Sequence, residues 1–135
     1  MKKRLKKISL LNNKVRYKGF VSNKVILNIQ READFLINAR SPDEEYVKYS
    51  FPSKTLEYML SGTPLITTML PGIPEEYKDY VLILENNNPL VICEMLENVI
   101  RMDKEEIEQL GLKALDFAKS RNYINQGQKI IDFLS

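Results

Sequence analysis

Apolar residues along this chain fall into two patterns, short continuous runs and runs at helical spacing, and the two alternate. Residues 3–12, "KRLKKISLLN", read as a basic helix. "VRYKG" (15–19) reads as a strand, with Val15 and Tyr17 on one face and Gly19 closing it. "SNKVILNIQREA" (22–33) opens on Ser22, a residue suited to an N-cap, and its Val25, Ile26 and Ile29 recur at helical spacing. "DFLINA" (34–39), "TPLITT" (63–68) and "YVLIL" (80–84) are short apolar runs of the kind that form buried parallel strands. Between the first two runs lies a helix around Ser53–Ser61, stopped by Gly62 at the position of a C′ glycine. Helices near 89–101, 104–120 and 122–134 finish the chain. Strands alternating with helices predict an α/β fold, a parallel sheet flanked by helices in a Rossmann-like arrangement. In such sheets ligands bind beyond the carboxyl ends of the strands.

Composition narrows the chemistry. The 135 residues amount to one domain's worth of chain, 44% apolar and 28% charged. No apolar run approaches the ~20 residues that span a bilayer. The basic start has too few apolar residues behind it to act as an export signal. Histidine is absent, which excludes Ser-His-Asp and Cys-His catalysis and histidine metal sites within this chain. The single cysteine, Cys93, sits in the apolar pattern of "PLVICEMLENVI" and is expected to be a buried structural thiol.

Charge is unevenly spread. The first 31 residues hold ten basic groups and no acidic one, whereas the remainder holds ten basic and eighteen acidic groups. The basic portion suits phosphates, an acidic partner or the anionic inner face of a membrane, which would make the protein cytoplasmic with peripheral membrane contact. Without interleaved aromatics or a reading motif, it does not suggest nucleic acid.

The stretch "YSFPSKTLEYMLSGTPLITT" (49–68) carries the most chemistry. It joins a strand to a helix, so it belongs at the carboxyl edge of the sheet. Pro52 suits the first helical turn. The N–H groups of Ser53, Lys54 and Thr55 would then face outward at the positive end of the helix dipole, as in an anion site. Lys54 adds a charge and Ser53 a hydroxyl. Glu57, one turn further in, accepts hydrogen bonds only when ionised, which suits the vicinal hydroxyls of a ribose rather than a phosphate. Together the two describe a nucleotide. An ordinary capped amphipathic helix, with Leu56, Met59 and Leu60 in the core and Glu57 solvated, accounts for the same residues equally well.

"FPSKTLEYMLSGTPLITT", followed by "LPGIPEEY", resembles the donor-binding half of family 4-type, GT-B fold glycosyltransferases. Phe51, Glu57, Met59, Gly62, Pro64, Ile66 and Thr68 match the family's first motif, and Gly72, Pro74 and Glu75 match its second. Upstream, "VRYKGFVSNKVILNIQREADFLINA" is similar to the family's strand, helix and strand. Downstream, "KALDFAKSRNYINQGQKIIDFL" resembles its closing helices. The family's first glutamate, which contacts the donor sugar, falls at Tyr49 here.

The resemblance implies the donor-binding part of an enzyme that moves a sugar from a nucleotide diphosphate sugar, UDP- or GDP-type, to an acceptor. Bacterial surface polysaccharide or glycolipid synthesis is the setting it implies. No metal or further cofactor is implied, because fixed positive charge and a helix dipole stabilise the departing diphosphate. Glu57 would take the ribose, and Ser53 and Lys54 the phosphates. Phe51 lies in the matched motif and Tyr49 beside the sugar. Gly19 and Phe20 would line the nucleoside pocket, with a core role for Phe20 as the alternative. Arg40, just past a strand, would reach the phosphates or simply remain on the surface. Residues 1–135 are expected to form a single partial C-terminal domain, completed by a missing N-terminal half or a partner chain, and inactive alone. The competing expectation is a non-catalytic α/β module that binds another protein, or a second copy of itself, through an exposed sheet edge.

Overall fold

A computed structural model describes residues 2–41, 53–121 and 131–132. The predicted helix at 122–134 therefore lies outside the described residues, apart from Ile131 and Asp132. Three strands, β1 (Leu36–Asn38), β2 (Leu65–Thr68) and β3 (Leu82–Leu84), form a parallel sheet in the order β1-β2-β3. The helices are α1 (Lys2–Leu11), α2 (Asn23–Glu32), α3 (Ser53–Met59), α4 (Pro89–Ile100) and α5 (Lys104–Ser120). A 3-10 helix, Glu75–Tyr80, leads into β3. The architecture is the Rossmann-like α/β arrangement that the alternation predicts.

β2 is the central strand, and all four of its residues are buried. Successive side chains of a strand point to opposite faces, so Leu65 and Ile66 seed two separate cores. Leu65 joins Met59 of α3 with Ala114 and Ala118 of α5, together with Leu70, Ile73, Tyr77 and Val81. Ile66 joins Leu84 and Val99 of α4, with Phe35, Leu82 and Leu96 packed around them. The register, Leu36 opposite Leu65 and Ile66 opposite Leu82, keeps like faces aligned across the sheet. A run such as "LITT" can be buried throughout only in a central parallel strand with helices on both faces.

Capping explains the helix boundaries. Ser22 accepts from the Val25 N–H, Asn88 from Leu90 ahead of Pro89, and Asp103 from Glu105. Gly62, at φ +76°, donates to the Met59 carbonyl and ends α3. At the far end of α5, Phe117 stacks on Tyr80 and meets Tyr77 edge-on, while Arg121 lies over the ring and pairs with Glu76. Burial pushes the Tyr77 phenol above its ordinary value of 10.0, and nearby Arg121 partly offsets the effect.

Three expectations are corrected. Residues 15–19 form no strand, because their backbone groups are taken by α1: the Ser9 hydroxyl donates to the Val15 carbonyl and accepts from the Tyr17 N–H. Gly19, at φ +65°, turns the chain away. Cys93 is exposed rather than buried. On α4 the positions that meet the sheet are Val91, Ile92, Met95, Leu96 and Val99, which leaves Cys93 on the other side. Leu60, assigned to the core with Leu56 and Met59, is 45% exposed just beyond the end of α3.

One close approach fixes α5 against the turn between α3 and β2. Gly111 is buried, and a Cβ there would run into the Gly62 carbonyl oxygen and come within 3.1 Å of Pro64 Cδ. In an unobstructed helix, glycine to alanine gains about 1 kcal/mol. Here overpacking of about 1–3 kcal/mol opposes that gain. Gly111→Ala should lower the urea midpoint; an unchanged or higher midpoint would show that α5 can back away without cost.

Candidate functional site

The carboxyl edge of the sheet is tied together by two threonines. Thr67 Oγ1 donates to the Asn38 carbonyl at 3.1 Å, and Thr68 Oγ1 donates to the Arg40 carbonyl at 2.7 Å. The chain leaving β1 is thereby held beside the end of β2. Both threonines are buried, so each bond removes a desolvation cost as well as fixing position. The Arg40 side chain is exposed, and among the described residues it has no ion-pair partner.

α3 begins at Ser53 and brings Lys54 and Glu57 onto one face, three residues apart. Lys54 Nζ stands 3.1 Å from Glu57 Oε2. The two side chains are 52% and 37% exposed, so the pair faces solvent and can meet a ligand. The other carboxylate oxygen, Oε1, is reached at 3.5 Å by Nε2 of Gln30, from the last turn of α2. Gln30 is only 5% exposed. Its backbone carbonyl accepts from Thr63 Oγ1 at 2.6 Å.

Of the predicted residues, Lys54 and Glu57 are therefore adjacent, with Ser53 at the start of the same helix. Tyr49, Phe51 and Pro52 lie outside the described residues. Gly19 and Phe20 precede Ser22, the N-cap of α2. Phe20 is 90% exposed, which rules out the alternative of a core aromatic. Gln30 was not among the sequence candidates. Its signal was a polar residue directly after Ile29, in the apolar register of α2, where Val25 and Ile29 turn out to be half-exposed and Gln30 buried.

Among the described residues two buried polar atoms have no partner, Gln30 Oε1 and Thr55 Oγ1. Each such orphan costs about 1–3 kcal/mol relative to a satisfied group. A cavity of about 830 Å³ lies elsewhere, between α4, α5 and the amino edge of the sheet, with Phe35, Pro64, Leu96 and Ile107 in its wall. Volume and topology disagree about where a ligand belongs. Ligands of parallel α/β sheets as a class bind at the carboxyl edge, and Lys54 and Glu57 are not part of that cavity's wall.

A parallel α/β sheet flanked by helices, with a cation–carboxylate pair on the helix after its first strand, defines a Rossmann-like domain. The family described as glycosyl transferases group 1 matches residues 1–102, and the chain belongs to that family. No curated protein and no solved structure matches it. Glycosyl transfer is the role of the family, and the chain is of the transferase class.

The solvent-facing Lys54–Glu57 pair is worth little to the fold, about 0–1 kcal/mol. Lys54→Met should shift the denaturation midpoint by no more than that. A loss above about 1.5 kcal/mol would assign Lys54 to structure rather than to a ligand.

Proposed function

We propose that this chain forms the donor side of a glycosyltransferase and binds a nucleotide diphosphate sugar, UDP- or GDP-type, at the carboxyl edge of its sheet. The observation that carries this reading is Glu57 held in place one turn inside α3, beside Lys54, with both side chains open to solvent. An ionised carboxylate offers about four lone-pair sites. Gln30 and Lys54 engage one on each oxygen, which leaves acceptors for the two hydroxyls of a ribose. Lys54, Ser53 and the first-turn N–H groups of α3 take the diphosphate, with Arg40 as a further cation. Gly19, Phe20 and Phe51 line the nucleoside side, and Tyr49 lies toward the sugar. The departing diphosphate is stabilised by these fixed positive groups, which is where such sites lower the barrier most. By family resemblance, the acceptor belongs to bacterial surface polysaccharide or glycolipid synthesis.

UDP, GDP and ADP, titrated by ligand-observed NMR, test the donor site. One of them should bind saturably, and Glu57→Ala should weaken it at least about tenfold, the worth of hydrogen bonds to a charged group. If a folded chain binds none of them, the donor-site reading fails and a non-catalytic α/β module takes its place.

α1 supports a membrane setting. It carries Lys3, Arg4, Lys6 and Lys7, and its Leu10 and Leu11 are 87% and 78% exposed. Cations beside exposed leucines suit an anionic lipid surface. The contact proposed is peripheral, and among the described residues no helix is long and apolar enough to cross a membrane. The chain should float with phosphatidylglycerol-containing vesicles at low salt and release at high salt. No flotation at low salt would remove the membrane from the proposal.

A further inference from the structure

We infer that Gln30 is a positioning residue for Glu57, acting through its side-chain amide to aim the carboxylate at the ribose hydroxyls of the donor. The inference rests on the reading of Glu57 as the ribose ligand and deepens it. Gln30 is the only residue of α2 that is buried, although it is polar and its helix offers isoleucines for that purpose. Its Nε2 reaches Glu57 Oε1 at 3.5 Å, while its own Oε1 is buried with no partner among the described residues. The reverse amide orientation would set two oxygens against each other at that distance, so the chemistry fixes which end faces Glu57. The backbone beneath is anchored independently by Thr63 Oγ1 on the Gln30 carbonyl. A residue present only for the core would not leave a buried oxygen unsatisfied. An apolar side chain of the same length would fill the space without that penalty.

Neutral donation is what distinguishes Gln30 from Lys54. The lysine is exposed and charged, and in the proposed site a diphosphate competes for it. The amide carries no charge for phosphate to draw away, and its buried position allows few other rotamers. Gln30 therefore still orients Oε1 when Lys54 turns to the phosphates.

The test replaces Gln30 with methionine, which matches it in length and lacks the donor. UDP and 2′,3′-dideoxy-UDP are titrated against wild type, Gln30→Met, Glu57→Ala and the double variant, with the guanosine and adenosine pairs in parallel. Wild type should prefer the ribonucleotide. Gln30→Met should cut that preference about threefold to tenfold, leave dideoxy binding unchanged and melt no lower than wild type. The double variant should match Glu57→Ala, because Gln30 acts only through that carboxylate. An unchanged preference in Gln30→Met, or equal weakening of both nucleotides with a lowered melting point, overturns the inference and leaves Glu57 as the ribose ligand. A wild type that binds both nucleotides equally overturns the reading of Glu57, and the role of Gln30 with it.

Discussion

The contact on which most of this structure depends is the seat of Gly111 on the Gly62 carbonyl. A helix can come this close to a turn only where it lacks a Cβ, and the turn can present its carbonyl only because Gly62 accepts φ +76°. α5 is thereby pressed onto the point where α3 ends and β2 begins. Thr63 follows directly, and its hydroxyl holds the last turn of α2 through the Gln30 carbonyl. A single approach of backbone to backbone therefore sets the relative positions of α2, α3 and α5. Through Gln30 it reaches the carboxylate of Glu57.

The two ends of the sheet are built differently. At the amino edge the chain is fixed by packing and by Thr63. At the carboxyl edge, Thr67 and Thr68 bond to the carbonyls of the neighbouring strand's exit and replace side-chain packing with hydrogen bonds. Buried threonines in a strand that could hold valine are costly unless satisfied. Satisfied, they hold the start of the connection from β1 to α3 while leaving the Arg40 side chain in water.

Much of this was legible from the residues. The three strands were marked by their continuous apolar runs, although only β2 is buried along its whole length, and the start of α2 and the end of α3 by Ser22 and Gly62. The strand expected at 15–19 failed because alternation of Val15 and Tyr17 says nothing about partners, and Ser9 of α1 supplied them instead. Cys93 failed because an apolar run in an amphipathic helix does not state which of its residues lies on the covered side. Gln30 was missed for a related reason. Its burial depends on α3 and on Thr63, which lie 27 and 33 residues further along the chain. Periodicity within α2 pointed to Val25 and Ile29, and both are more exposed than Gln30.

The electrostatics of the proposed donor site follow from how unequally Glu57 is held. Its bond to Lys54 is solvent-exposed, so breaking it costs at most about 1 kcal/mol. A diphosphate, with more charge and more acceptor oxygens than a carboxylate, is a stronger partner for the same ammonium. Binding would therefore draw Lys54 from Glu57 to the phosphate and free one carboxylate oxygen for a hydroxyl. Were Lys54 the only restraint, the carboxylate would lose its orientation as the ligand arrived. The buried amide of Gln30 prevents that, because a neutral donor is not drawn off by the arriving charge. Its orphaned oxygen is the stability cost of keeping a fixed acceptor beside a movable cation, a trade of fold for function that active sites commonly make.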